Sequence, residues 1–173
     1  MKKKENTITK TERILAVYHL LYYCEAVSAK DLSECLPGWC KKTFSRDIVL
    51  LKRAGVQVQY SKKRQAFELS GERAEACFSE SKSETRYIKK IMRLTKMIDD
   101  MPEEDCGKWY AETFPDSKRT MERDFATLNA IGYKIKYERE SFNSHNAGFD
   151  LPPRRYYCDR PGGAYELKIF RRG

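Results

Sequence analysis

The 173-residue sequence has no apolar run long enough to cross a bilayer, which argues against a membrane-spanning helix. It has no signal-peptide pattern either. The opening Met1-Lys2-Lys3-Lys4-Glu5-Asn6 is basic, but Ile14 to Tyr23 behind it is interrupted by His19 and reads as an amphipathic helix, so a cytoplasmic protein with no membrane partner is expected. The six cysteines (Cys24, Cys35, Cys40, Cys77, Cys106 and Cys158) contain no Cys-x-x-Cys pair, and the two histidines, His19 and His145, stand at no ligand-like spacing. Reduced, mostly buried thiols and no metal are therefore expected. No nucleophile–base set and no phosphate-binding loop is visible, so neither catalysis nor a cofactor is expected. Acid is in deficit: 34 Lys and Arg face 25 Asp and Glu, for a net charge of +9 and a pI near 9.2. That balance favours polyanionic partners.

What the sequence does have is a repeat. Lys41-Lys42-Thr43-Phe44-Ser45-Arg46-Asp47, continuing through Leu51 to Gly55 and Tyr60, recurs as Lys118-Arg119-Thr120-Met121-Glu122-Arg123-Asp124, continuing through Leu128 to Gly132 and Tyr137. Every matched pair is 77 residues apart, as Tyr60 and Tyr137 are, so one supersecondary unit is used twice. Ile91 and Ile98 extend the match upstream to Ile14 and Leu21. Within the unit, Phe44, Ile48 and Leu51, like Met121, Phe125 and Leu128, are spaced for one apolar helical face. Gly55 and Gly132 stand where that period stops, as a left-handed helix cap requires. Alternation then takes over, with Val56, Val58 and Tyr60, and again Tyr133, Ile135 and Tyr137, which predicts a half-buried strand.

The remaining punctuation completes each unit. After a flexible basic tail over 1–8, Thr9 or Thr11 caps a first helix ending near Cys24. Ser28-Ala29-Lys30-Asp31 resembles a capping box for a short helix to Leu36, and Pro37-Gly38 breaks it. A polar loop, Ser61 to Gln65, links Val58-Gln59-Tyr60 to Ala66-Phe67-Glu68-Leu69 as a hairpin with a cationic tip. Gly71 to Ser79 reads as a short linking helix and Glu80 to Ser83 as the domain boundary. In the second unit Pro102 and the acids around it predict a helix running to Phe114, with Asp116 or Ser117 capping the next. Tyr156-Tyr157-Cys158 and Tyr165 to Phe170 read as strands of a long hairpin made basic by Arg154, Arg155 and Arg160. The long Ser141 to Pro153 loop, between the Lys134 to Tyr137 strand and Tyr156, reads as functional or disordered, and Asp159 to Gly163 links the later two strands.

Helix, helix, short turn, basic helix and hairpin is the order of a winged helix-turn-helix. Ser117-Lys118-Arg119-Thr120-x-x-Arg123-Asp124, with Leu128 and Gly132, resembles the recognition-helix motif of DeoR-type bacterial regulators and the N-terminal DNA-binding domain of WYL-domain regulators. The first copy matches with Cys40 in place of the capping serine. The resemblance implies a transcription regulator, with a second winged helix where such proteins usually carry an effector domain. The expected fold class is mainly α with small β-hairpins (α+β), as two tandem winged helix-turn-helix domains over 9–80 and 83–173.

Between 40 and 64, eight Lys and Arg stand against one acid, Asp47, and such a cluster neutralises phosphates. The expected double-stranded DNA contacts are Lys41, Lys42, Ser45 and Arg46 on the first basic helix and Lys62, Lys63 and Arg64 at the hairpin tip. Lys118, Arg119, Arg123, Arg154 and Arg155 are their counterparts in the second unit. Lys42 and Ser45 are of a type that can reach base edges in a major groove. Arg46 has an alternative structural reading as a partner of Asp31 or Glu34. The second unit is the weaker binder, because Glu122 replaces Ser45 and seven acids lie between Asp99 and Asp116 against Lys108. Its rival role is homodimerisation through the second domain or its long wing. Asp47 and Asp124 read as salt-bridge partners or caps, and Trp39, Trp109, Tyr156, Tyr157 and Tyr165 as packing residues. A replication initiator with tandem winged helices and a protein-interaction module are the alternative functions.

Overall fold

The first helix, α1 (Lys10–Tyr23), starts where Thr9 closes a capping box: the Glu12 N–H donates to Thr9 Oγ1 at 3.2 Å and the Thr9 N–H to Glu12 Oε2 at 2.8 Å. Every residue from Ile14 to Leu21 is buried, His19 included, so α1 is not the one-faced helix its periodicity predicts. A helix buried all round has structure on every side. The computed structural model, which describes residues 8–139 and 154–170, supplies it from both halves of the chain.

In the first half, β1 (Val27–Ser28) leads into α2 (Ala29–Cys35), capped by the expected Ser28–Asp31 box. Then follow α3 (Lys41–Arg53), β2 (Val58–Ser61) and β3 (Ala66–Leu69). β3 lies between β1 and β2 in an antiparallel sheet, with Phe67 opposite both Val27 and Tyr60. The two-residue β1 was not expected, because a strand that short carries no alternation. The second half repeats the order with α4 (Lys82–Asp100), α5 (Cys106–Thr113), α6 (Lys118–Ile131), β4 (Lys134–Arg139) and β5 (Arg154–Asp159). β4 and β5 form a two-stranded antiparallel sheet with Tyr137 opposite Tyr156. The described residues therefore form six helices and two small antiparallel sheets, an α+β architecture, and no described helix is long and apolar enough to cross a membrane. The basic tail and the 141–153 loop lie outside the described residues.

Several boundaries differ from expectation. Gly71 to Ser79 is not a helix. Its backbone instead straps across the end of α3, with Ala74 N–H donating to Gly55 O at 2.9 Å and Cys77 N–H to Arg53 O at 2.8 Å. Tyr165 to Phe170 is not a strand but does the same for α6: Lys168 N–H donates to Ile131 O at 2.9 Å, and the buried residues are Leu167 and Phe170, three apart rather than alternating. The repeated glycines explain this role. Both have positive φ, and a Cβ would stand 2.4 Å from Ala74 O at Gly55 and 2.9 Å from Lys168 N at Gly132. Each glycine lets the strap approach the corner. α5 starts at Cys106 rather than Pro102, with Asp105 left-handed before it.

The two repeats share one core. Ile14 to Tyr18, Leu20 and Leu21 of α1 belong to the same buried cluster as Ile91, Leu94, Leu128 and Tyr133 of the second repeat. Polar ties run across as well. Arg73 Nε donates to Asp99 Oδ2 at 2.7 Å, Nη1 to Thr95 Oγ1 at 3.0 Å and Nη2 to Tyr18 Oη at 3.0 Å, while Tyr18 also donates to Asp99. Buried His19 receives the Tyr133 hydroxyl at Nδ1, 3.0 Å away, and gives its Nε2 proton to Gly163 O at 3.1 Å. Ser79 to Ser83 thus divides the repeats in sequence but not two separate cores.

Candidate nucleic-acid interface

α3 buries Phe44, Ile48 and Leu51 and exposes Lys41, Lys42, Ser45, Arg46, Val49 and Lys52 on its other face. Its single acid, Asp47, points inward. Arg13 of α1 grips it with two hydrogen bonds, Nε to Oδ2 at 2.6 Å and Nη2 to Oδ1 at 2.9 Å, and Asp47 is 1 % exposed. The outer face of α3 is therefore cationic with no carboxylate of its own. Lys41, Lys42 and Arg46 make no ion pair among the described residues; Asp31 is held by Ser28 and Glu34 lies 3.9 Å from Lys30, so neither serves Arg46. Ser45 Oγ donates back to Lys41 O at 2.9 Å, which leaves its oxygen free to accept.

The hairpin tip between β2 and β3 exposes Lys62 and Lys63, unpaired among the described residues. Arg64 differs: its Nη2 donates to Glu25 Oε1 at 3.1 Å and its Nη1 lies 3.9 Å from Glu68, so part of its charge is spent inside the protein. Tyr60 beside the tip is 52 % exposed although alternation predicted an inward ring; it stacks edge-on against Phe67 instead. Cys40 occupies the N-cap of α3 without a side-chain bond to the helix backbone. Its thiol meets Thr43 Oγ1 at 3.1 Å, and that bond, helped by the positive end of α3 where the Thr43 and Lys42 N–H groups lie close without a hydrogen bond of capping geometry, holds its pKa below the usual range.

α6 is capped by Ser117 as expected, Thr120 N–H donating to Ser117 Oγ at 3.3 Å. It exposes Lys118, Arg119 and Arg123, but also Glu122, whose carboxylate stands 3.9 Å from Lys118 Nζ. Arg155 lies 3.4 Å from Asp105, while the Arg154 side chain falls outside the described part. Arg160 is a structural residue: it donates to Ile98 O at 2.7 Å, Met97 O at 3.3 Å and Met101 O, closing the carbonyl end of α4. The acidic stretch is largely spoken for. Asp99, Asp100, Asp105, Glu112 and Asp116 each have a cation within 4 Å, in Arg73, Lys96, Arg155, Lys108 and Arg93 respectively. Of the aromatic residues expected to pack, Trp39, Trp109 and Tyr156 do so, whereas Tyr165 is 58 % exposed, because the chain turns there instead of pairing.

Asp124 matches Asp47 and is likewise buried in an arginine's grip. Arg93 Nε donates to Asp124 Oδ2 at 2.7 Å, and the Tyr110 hydroxyl donates to the same oxygen at 2.7 Å. The arginines do not follow the 77-residue offset: Lys90 is the sequence match of Arg13, and Arg93 lies one helical turn further on. Positions three apart share a helix face, so either can reach the aspartate. Beside this pair a cleft of about 480 Å³ opens between α4 and α6. Arg86 and Lys90 of α4 and Arg123 of α6 line it over buried Arg93. Arg86 and Lys90 are not among the expected contacts, because the apolar positions of α4 dominate its pattern. The spacing of Arg86, Lys90 and Arg93, at i, i+4 and i+7, was the signal that could have found them. Among the described residues no group of His, Cys, Asp and Glu could hold a metal ion. No family model, curated protein or solved structure matches the chain.

Proposed function

We propose that the chain is a sequence-specific double-stranded DNA-binding protein, a transcription regulator built of two winged helix-turn-helix units, with α3 and α6 as recognition helices and the β2–β3 and β4–β5 hairpins as wings. The observation that carries this reading is the outer face of α3, where Lys41, Lys42 and Arg46 are exposed and unpaired among the described residues while the helix's one acid is turned inward onto Arg13. Cations held by internal carboxylates contribute little to an external field; cations left unpaired contribute fully. Lys62 and Lys63 at the hairpin tip extend the same field. By the same reasoning α6, with Glu122 beside Lys118, is the weaker anchor. Duplex selection from a random pool, followed by salt titration on a selected duplex, tests the reading. Five neutralised phosphates would give a slope of log K against log salt of about −4 to −5. No selected sequence, or affinity insensitive to salt, would refute it.

A further inference from the structure

Arg86, Lys90 and Arg123 converge on one cleft, and none has a carboxylate partner among the described residues. Arg86 and Lys90 are like charges at i, i+4 on α4, a mutually repelling arrangement, and Arg123 brings a third across the cleft from α6. The acids present do not relieve them: Asp124 is held by Arg93 and Tyr110, and Asp116 lies 3.5 Å from Arg93. Arg93 is shared between the two acids, and over the whole lining four cations (Arg86, Lys90, Arg93 and Arg123) face two carboxylates, so the cleft is net positive by two.

We propose that this cleft is a binding site for a small phosphomonoester, its dianionic head between Arg86, Lys90 and Arg123. Guanidinium forks match phosphate oxygens, and the Ser83 and Thr120 hydroxyls on the lining add neutral donors. The volume, about 480 Å³, is larger than a bare phosphate needs and within the range of small-molecule sites. Tyr87, half-buried with its hydroxyl 3.2 Å from Thr11 Oγ1, gives the organic body an aromatic wall. Duplex DNA fits less well. Its phosphodiesters each carry one charge and lie on a convex rod, whereas this site is concave over a buried arginine. The site stands on its own lining residues and does not depend on the DNA-binding reading.

The test is phosphorus NMR titration of the full chain with inorganic phosphate and with ribose 5-phosphate, with ribose as the neutral control at constant ionic strength. Saturable binding of both phosphates is expected, tighter for ribose 5-phosphate and absent for ribose. Arg86→Ala/Lys90→Ala, checked for unchanged circular dichroism, should weaken it about tenfold or more, and Lys108→Ala on α5 should leave it unchanged. Should the double variant fail to fold, Lys90→Gln alone is read in the same way. Absence of saturation by either phosphate up to ~10 mM, or binding that the cleft variants leave intact, overturns the proposal. A variant that loses duplex affinity while the wild-type protein binds neither phosphate also overturns it, and assigns the cleft to DNA.

Discussion

Replacing Asp124 by alanine should cost more than replacing Asp47, and both should move the same unfolding transition. Asp124 is 1 % exposed and its partner Arg93 9 %, so the guanidinium left behind stays out of water and the Tyr110 hydroxyl loses its acceptor. Breaking a buried pair from one side costs about 3–5 kcal/mol, and the remaining contact to Asp116 at 3.5 Å places Asp124→Ala near the lower end of that range. Arg13 has a side chain 22 % exposed and can turn to solvent when Asp47 is removed, so that variant loses about 2 kcal/mol, the value of a charged hydrogen bond. For a chain of this size each kcal/mol lowers Tm by roughly 2–4 °C, giving drops of about 6–12 °C and 4–8 °C respectively. α1 is buried among elements of both repeats, so neither pair can open without disturbing it. Calorimetry with parallel urea titration checks the outcome. Two resolved transitions, each shifted by only one substitution, would refute the shared core. A larger loss for Asp47→Ala would refute the burial argument.

The remaining expectations concern a buried imidazole, a helix cap and the two basic helices. Burial pushes the His19 pKa from 6.5 down to about 4, against the opposing hydrogen bond to Gly163 and with help from Arg160. The unfolded chain therefore takes up the proton first, and stability falls as pH drops from about 6.5 to 4, by up to about 3 kcal/mol; urea titrations of wild type and His19→Gln should diverge in that window and run parallel outside it. Cys40→Ser should stabilise α3 by about 1 kcal/mol in the same assay by supplying the missing cap bond. The change should also remove an exposed thiol whose pKa the start of α3 holds low, whereas burial holds Cys106 and Cys158 up at about 12 and about 11. Lys42→Glu should weaken binding to a selected duplex about 10- to 100-fold, and Arg119→Glu by less, because only the second lies on a helix whose outer face already carries a carboxylate. The reverse order in fluorescence anisotropy would make α6 the main reader.

Local signals were legible where one residue type answers one local need. Thr9, Ser28 and Ser117 accept the backbone bonds that helix starts leave open; Ser28 is the expected cap, and Thr9 and Ser117 are the ones the structure selects from the pairs Thr9 or Thr11 and Asp116 or Ser117. The β2–β3 hairpin appears between the expected residues for the same reason: alternation flanks a polar turn. What failed was non-local. Gly71 to Ser79 has helix-compatible composition, but its N–H groups go to the carbonyls at the end of α3 and Arg73 is drawn to Asp99. No property of that stretch alone announces those acceptors. The same holds for Arg160, whose charge suggested an outward role until the carbonyls ending α4 claimed it. Of the candidate site, exposure of the α3 and hairpin-tip cations followed from helical and hairpin geometry. Their freedom from internal partners did not, as Arg64 shows against Lys62 and Lys63.

The aspartates carry the deeper lesson about the repeat. Asp47 and Asp124 hold identical places in the two copies, one residue after an arginine, which along the chain alone reads as a salt-bridge partner or a cap. The structure gives both one job: each anchors a basic helix to the first helix of its own unit through an arginine. The arginines arrive from positions a turn apart, Arg13 and Arg93, so the conserved quantity between the copies is the ion pair and not the alignment. That pairing also sets the surface charge. An aspartate turned inward removes the one acid of α3 from its outer face and leaves Lys41, Lys42 and Arg46 uncancelled, whereas α6 keeps a second acid, Glu122, outside. The same inward pair that holds each helix in place therefore leaves only the first with an outer field of a single sign, and the proposed division of labour between the repeats rests on where one carboxylate points.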